Sequence, residues 1–395
     1  MATTETTRPA ATAAVSTRRQ SWSTLVRHLA LLAGGVVVVL LITGWFDDFA
    51  NYQLATLGAY ICAVAGLTLL TGTSGQISLG HGALMAIGGY TVALLQNQFA
   101  DHGVTGLWVL PLSLLAGTVA TALFGAAFGV AAARLRGPYL AGATLALGVA
   151  LPSITSHFEV FQGDQGLFVP FDPPPAGLGD DFSLEHWQAW VSLGAALITL
   201  FLLANLQSSA VGRHMRAVRD DEIAASLAGL SVPRTQILAF TISSAAAGLG
   251  GGVFAFVLQT ASPGSFGLVL SLTLLSAVII GGLGSLTGAV LGSVIVVYLG
   301  TWLTDWIDGL GLDAGWAQNL HDHLPNATYG LLLILVMLLL PGGLAGLLRR
   351  IPRPRSPRRP RVGRPDPPDQ PAAADQPVPP TAPPAPTTPP PGGQA

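Results

Sequence analysis

Three polar side chains, Gln76, Ser78 and His81, stand in a glycine-rich and otherwise apolar stretch. They offer amide, hydroxyl and imidazole groups without a formal charge, which suits the binding of a small polar or zwitterionic solute. Polar groups within an apolar span are functional candidates by default, although each could also simply hydrogen-bond a neighbouring helix. A metal site at His81 is not expected, because no partner ligands stand at a recognisable spacing. Thr144 and Gln259 complete the set that we expect along a solute pathway.

The chain lacks the motifs of common catalytic and nucleotide-binding sites. It contains no lysine, so the phosphate-binding loop G-x-x-x-x-G-K-[ST] cannot occur. The single cysteine, Cys62, excludes an intrachain disulfide and is typical of a small buried hydrophobe. An intramembrane enzyme built on His81 and His157 is a remote alternative, because neither histidine has an evident partner. We therefore predict that the chain is not an enzyme, has no cofactor or metal, and cannot hydrolyse ATP by itself.

A strongly hydrophilic segment, residues 211–234, lies between two apolar runs. Its centre has the periodicity of a short amphipathic helix, with Glu222 in the first turn and Gly229 as the stop. Three apolar residues fall on one face of that helix: Ile223, Leu227 and Leu230. A helix that lies across a membrane surface between two spans is suited to receive a push from a soluble partner. The residues alone fit an ordinary positively charged loop equally well.

Composition places the chain among membrane proteins. Half of its 395 residues are hydrophobic and 10% are charged, whereas about a quarter are charged in globular proteins. Many apolar runs approach the ~20 residues that a transmembrane helix needs. We predict an all-α fold, a polytopic transmembrane helical bundle of about 8–10 spans with a short cytoplasmic coupling helix. The predicted spans are 25–46, 52–71, 76–95, 107–133, 138–158, 187–206, 236–258, two short spans within 268–303, and 329–348.

The positions of the arginines indicate the orientation in the membrane. All 18 basic residues are arginine, and they fall within 1–27, 134–136, 213–234 and 349–364. With ten crossings and a cytoplasmic N-terminus, all four segments are cytoplasmic, as the positive-inside rule requires. An eight-crossing arrangement, with 268–303 re-entrant, keeps the same sidedness. Both termini are therefore predicted to be cytoplasmic.

Four blocks of sequence carry a family resemblance. Residues 222–229 read EIAASLAG, 66–90 read GLTLLTGTSGQISLGHGALMAIGGY, 136–167 begin RGPYLAGATLAL, and 261–288 end in GGLGSLTG. The first is similar to the E-A-A-x-x-x-G coupling motif of ABC importer permeases, with one residue inserted. Together the blocks resemble the branched-chain amino-acid permease family of LivM type, over roughly residues 50 to 348.

The resemblance implies a role and a set of partners. The chain would be the membrane permease subunit of an ABC importer in the bacterial plasma (inner) membrane. It would work with two cytoplasmic ATP-binding subunits, a second homologous permease subunit and an extracytoplasmic substrate-binding protein. Coupling to the ATPase would fall to the loop residues Arg216, Arg219, Glu222, Ala224, Ala225 and Gly229.

The division into domains follows from composition and resemblance together. Residues 1–24 are expected to form a flexible cytoplasmic arm, and 25–348 the transmembrane permease domain with its coupling loop at 207–235. Residues 349–395 are polybasic and then proline-rich, which predicts a disordered tail. We expect the basic part to bind anionic membrane lipids and not nucleic acid.

The substrate is less constrained than the family. The family transports branched-chain or related amino acids, but residues 162–167 match its outer glycine-rich segment imperfectly, so urea, amides and other amino acids stay open. The alternative function is an ion-coupled secondary transporter of a small polar solute. Such a transporter normally needs an ionised residue within a span, and the predicted spans contain none in their interiors.

Overall fold

The computed structural model describes residues 11–135, 137–170, 174–175, 177, 182–309 and 343–350, with positions 324, 327–328, 330–331, 334–335 and 338. Nine of the twenty positions of the predicted last span, 329–348, and residues 351–395 of the predicted tail lie outside the described residues. The described chain is almost entirely helical, which confirms the all-α prediction. Its α-helices are α1 (Ala11–Thr43), α2 (Asp48–Thr68), α3 (His81–Asp101), α4 (Val109–Ala132), α5 (Pro138–His157), α6 (Leu184–Ser208), α7 (Ala210–Asp220), α8 (Glu222–Leu227), α9 (Val232–Leu258), α10 (Leu268–Gly281), α11 (Leu286–Gly309) and α12 (Gly343–Arg350).

Eight helices of the described chain are long and apolar enough to cross a membrane. Helix α3, with 21 residues, is as long as these and lies buried in the bundle. The apolar run at 268–303 divides into α10 and α11, as its glycines predicted. Helices α2 and α6 begin three or four residues before their predicted spans. Asp47 caps α2 by accepting a hydrogen bond from the backbone nitrogen of Ala50, and Ser183 caps α6 by accepting one from His186.

The predicted third span was wrong at its start. We expected it to run from Gln76, whereas residues 75–80 are not helical and α3 begins at His81. Just before them, residues 69–73 form a π-helical turn, and Gly75 has φ +77°, which favours glycine. Non-helical backbone at membrane depth is tolerated where it is buried in protein. Here Gln76, Ser78 and Gly80 are buried, whereas Gly75 and Ile77 are exposed. We call residues 69–80 the first break.

Helix α9 is the centre of the bundle and packs against α2, α3 and α4. These helices approach closely because small residues face one another at the crossings. A side chain on Gly88 would overlap the backbone of Gly248, and one on Gly66 would meet the carbonyl of Ser243. Such small-residue contacts are the usual means of helix association in lipid, where burial of apolar surface gives little driving force.

The N-terminal part differs from its prediction in one respect. Residues 1–24 were expected to form a flexible arm, whereas the described structure continues α1 back to Ala11. Between Leu25 and Thr43 this helix is largely exposed and packs mainly on α6. The division into arm, permease domain and tail stays a prediction.

Candidate functional site

The first break is held by its own polar residues and by α9. The Gln76 side-chain amide donates to Ser74 Oγ over 2.8 Å and to the carbonyl oxygen of Gln236, in the first turns of α9, over 3.1 Å. Gln76 is buried, so these bonds offset the cost of removing its amide from water. The break is therefore a hydrogen-bonded element of defined structure and not an irregular loop without contacts.

Polar side chains cluster where the break passes into α3. His81 is fully buried, and its Nε2 lies 3.3 Å from Ser243 Oγ on α9. Thr144 Oγ1 on α5 accepts a hydrogen bond from the backbone nitrogen of Leu79 over 2.9 Å. Two buried atoms of the cluster, Ser78 Oγ and His81 Nδ1, have no hydrogen-bond partner. An unsatisfied buried polar atom is uncommon and calls for an explanation such as an occupant in another state.

One predicted pathway residue lies far from this cluster. Gln259 follows the last residue of α9 with φ +55°, and its carbonyl accepts from Val169 beside the two-stranded pair β1 (Leu167–Phe168) and β2 (Thr260–Ala261). Twenty-three positions of helix separate it from Gln236, or about 34 Å at 1.5 Å per residue. The structure thus brings Gln76, Ser78, His81 and Thr144 together and leaves Gln259 at the opposite end of the bundle.

The hydrophilic loop contains two helices instead of one. Helix α7 ends at Asp220, and α8 begins at Glu222. Asp221 separates them because its carboxylate caps α8, accepting from the backbone nitrogens of Ile223 at 2.8 Å and Ala224 at 3.0 Å. Glu222 lies in the first turn of α8 as predicted, and its Oε1 accepts a hydrogen bond from Gln236 Nε2 at 2.9 Å.

Helix α8 ends in the Schellman arrangement. The backbone nitrogen of Gly229 donates to Ser226 O and that of Leu230 donates to Ala225 O, both over 3.0 Å. Gly229 has φ +84°, and a side chain built there would meet nothing within 4 Å. Gly229 stops the helix as predicted, and the reason is its backbone conformation rather than lack of space.

The predicted apolar face of the loop is present on α8. Ile223 and Leu227 are 73% and 84% exposed, and nothing in the described chain covers them. Leu230 lies beyond the helix, in the turn after Gly229. Ala224 is exposed, whereas Ala225 is buried and faces the bundle. Ala225 is therefore a packing residue and does not offer a contact surface to a partner.

Charged residues tie the loop to the membrane domain. Arg219 Nη1 donates to the carbonyl oxygen of Gly72 in the first break over 2.5 Å, while its other nitrogens bind Asp220. Arg216 Nη1 donates to the carbonyl oxygen of Gln207 at the end of α6 over 3.0 Å. Gln236 closes a second link, since its carbonyl accepts from Gln76 while its amide donates to Glu222.

A cavity of about 610 Å³ lies between the loop and the break. Its polar lining includes Gln76, Arg219, Glu222 and Gln236, and Leu140 at the start of α5 contributes an apolar wall. The cavity therefore adjoins all the links that connect the loop with the break. A displacement of α8 would change its shape directly.

The two glycine-rich breaks meet inside the bundle. Residues 282–285 between α10 and α11 form the second break, with Gly282 at φ +110° and Gly284 at φ +78°. A side chain on Gly72 would overlap the backbone nitrogen of Gly284. The two breaks are therefore in contact.

Sequence reasoning missed three residues of this site. Asp221 follows the rule that Asp, Asn, Ser and Thr precede helices, and it could have been found by that rule. Gln236 and Gly72 gave no such signal, because their roles depend on partners about 160 and 147 positions away. No group of histidine, cysteine or carboxylate side chains in the described part of the chain could hold a metal ion.

Comparison with known proteins gives consistent results. Residues 49–341 match the family described as "Branched-chain amino acid transport system / permease component". The permease protein LivM of Salmonella typhimurium is 33% identical over 70% of this chain and 68% of the relative. LivM of Escherichia coli is 32% identical over 66% of each. The guanosine transporter permease NupQ of Bacillus subtilis is 29% identical over 46% of this chain and 59% of the relative. No solved structure matches.

The family, the helical bundle and the loop agree on one class of protein. The match covers the break, the loop and both glycine-rich segments, so it includes every element of the site. The ion-coupled alternative is not supported, since the relatives are transport-system permeases. This chain is a multi-pass membrane protein that belongs to the branched-chain amino acid transport system permease family, the permease component of ABC importers.

Proposed function

We propose that this chain forms the membrane pathway of an importer for branched-chain amino acids, together with a second permease subunit. Two cytoplasmic ATP-binding subunits supply the energy, and an extracytoplasmic binding protein supplies the substrate. Both termini and the loop between α6 and α9 lie in the cytoplasm. The arginine distribution supports this orientation.

The direct connection between loop and break carries the proposal. Helix α8 exposes Ile223 and Leu227, which suit an apolar groove on an ATP-binding subunit. Behind them, the bond from Arg219 to Gly72 and the Gln76–Gln236–Glu222 chain reach the break. Through these hydrogen bonds, a movement of α8 displaces the break and the start of α3 directly, with no further residues in between.

The chemistry of the break suits a zwitterion. His81, Ser78 and Thr144 offer polar groups at the start of α3, and the described part of this cluster contains no carboxylate or arginine. A net-neutral amino acid needs hydrogen-bonding groups more than a counter-charge. The branched-chain systems among the relatives favour aliphatic amino acids, while the guanosine permease marks the other substrate class to be tested.

The test is reconstitution of the full importer in proteoliposomes. Uptake of radiolabelled leucine should require ATP and loaded binding protein, and should persist when ionophores collapse all ion gradients. Guanosine should neither be taken up nor compete. Uptake that is driven by an ion gradient without ATP would overturn the proposal. Uptake of guanosine but not of leucine would show that the substrate is a nucleoside and not a branched-chain amino acid.

A further inference from the structure

A second cavity, of about 190 Å³, lies between α3 and α5, away from the loop and the break. Its walls are mainly apolar, with Ile87 and Leu94 from α3, Leu151 from α5, and Phe161 from the turn after α5. Tyr90, Thr91 and Thr155 add hydroxyl groups. The cavity is smaller than the roughly 300–1,000 Å³ of sites that enclose a whole drug-sized ligand. It therefore suits one aliphatic side chain and not a nucleoside.

The cavity lies on the same face of α5 as Thr144 of the polar cluster. Thr144, Gly148, Leu151 and Thr155 recur at spacings of three and four, so they share a helix face. Thr144 and Gly148 pack on the first break near Gly80. Leu151 and Thr155 line the cavity further along the same seam. A solute that follows this seam meets the cluster at one end and the cavity at the other.

Tyr90 gives the cavity a polar feature. The residue is buried, its hydroxyl lies beside that of Thr155, and no hydrogen bond of standard geometry reaches it. Its ring is fixed by an edge-to-face contact with Phe161, at 5.0 Å between centroids. Thr155 does not satisfy the hydroxyl as a donor, because its own proton is directed to the carbonyls of Leu151 and Pro152. A buried hydroxyl in this condition gains from a polar group on an occupant.

We infer that this cavity receives the aliphatic side chain of the amino acid during translocation, with its polar head near the Tyr90 hydroxyl. The inference rests on the proposed function and deepens it, since it assigns side-chain selection to the permease itself. Leu151 and Phe161 set the size of the subsite, and Tyr90 favours a polar head over a plain hydrocarbon. The resulting permease discriminates between aliphatic side chains even when the binding protein is saturated.

The experiment compares isoleucine and valine, which differ by one methylene. Initial uptake into proteoliposomes is measured for the complete importer, with each amino acid loaded on saturating binding protein. Leu151→Phe should lower the isoleucine-to-valine ratio by about tenfold or more, the discrimination that one methylene gives in a filled pocket. Val149→Phe is the matched control, because it lies on the same helix at an exposed position and should leave the ratio unchanged.

A second pair of variants covers the case in which Leu151→Phe fails to assemble. Leu151→Ala enlarges the cavity and should raise the isoleucine-to-valine ratio. Tyr90→Phe removes only the hydroxyl; it should raise the half-saturating substrate concentration for both amino acids and leave their ratio alone. Equal rate changes for both substrates in every Leu151 variant would mean that lipid or packing occupies the cavity, and would overturn the inference. A wild-type importer that takes up no branched-chain amino acid would instead reject the proposed function.

Discussion

Arg219 donates from Nη1 to the carbonyl oxygen of Gly72 over 2.5 Å, and so joins the cytoplasmic loop to a backbone break 147 positions earlier. The accepting carbonyl belongs to a π-helical turn at the end of α2, where the regular hydrogen-bond ladder is interrupted. Such π-turns are rare and occur frequently at functional sites. The guanidinium therefore binds the backbone at an irregular turn and not along a regular helix.

Replacing Arg219 should uncouple the importer without unfolding it. A hydrogen bond from a charged donor contributes about 1.5–3 kcal/mol to the stability of a structure, and each 1.4 kcal/mol corresponds to a tenfold change in an equilibrium constant. We expect Arg219→Ala to lower ATP-driven uptake by about tenfold or more at a normal membrane level, and Arg219→Lys to be intermediate because it loses the planar fork. Asp220→Asn is the control: its ion pair with Arg219 is exposed, and its loss should have little effect. Equal loss of uptake in both variants would show that the ion pair, not the bond to Gly72, matters.

The contact between the two breaks should tolerate no added bulk. An alanine at Gly72 would overlap the backbone of Gly284, and backbone cannot move aside as a side chain can. Overpacking of this kind typically costs about 1–3 kcal/mol. Gly72→Ala should lower the thermal unfolding temperature of the detergent-purified importer, whereas Gly142→Ala should not, because nothing lies within 4 Å of the added carbon there. An unchanged unfolding temperature for Gly72→Ala would mean that the breaks separate in the assembled importer.

The two faces of α8 should respond differently to a carboxylate. Ile223→Asp and Leu227→Asp alter exposed positions, so the permease should reach the membrane at normal levels while binding protein no longer stimulates ATP hydrolysis. Ala225→Glu would bury an unpaired charge and should reduce the membrane level itself. The measurements are immunoblots of membranes and ATPase assays of the reconstituted complex. Full stimulation with Leu227→Asp would exclude this face as the docking surface.

The sequence predicted the apolar helices because each of them is visible as a continuous local run of apolar residues. Hydropathy and glycine positions located the division between α10 and α11. The start of α3 was missed because a hydropathy pattern does not distinguish an apolar helix from buried extended chain, and because Gln76 is satisfied by a carbonyl 160 positions away. Gln259 was grouped with the pathway on residue type alone, and its place at the far end of α9 follows from topology that no local pattern contains.

Orientation can be tested with introduced cysteines. Cys62 is fully buried, so a Cys62→Ala background removes the one native thiol with little change at the surface. Cysteines at Asp101 and Asp164 should react with an impermeant thiol reagent in intact cells, and a cysteine at Ser226 only after the membrane is opened. All three positions are exposed in the described structure, so a difference in labelling reports sidedness and not burial. Labelling at position 226 in intact cells would reverse the predicted topology.

Substitutions at Gly229 can distinguish an effect of backbone strain from an effect of contact with a partner subunit. Its φ of +84° is disfavoured for side-chain-bearing residues by roughly 1–2 kcal/mol, least so for asparagine and most for β-branched residues. Within the chain a side chain there meets nothing. If backbone conformation alone matters, uptake and stimulated ATP hydrolysis should be highest in Gly229→Asn, lower in Gly229→Ala and lowest in Gly229→Val. If an ATP-binding subunit packs on the glycine, the order should follow size instead, with Gly229→Ala the least impaired and Asn and Val alike. The two explanations rank Gly229→Asn and Gly229→Ala in opposite order. Asparagine is the larger residue, but it adopts the conformation of this turn more readily than alanine does, so the comparison of these two variants distinguishes the explanations.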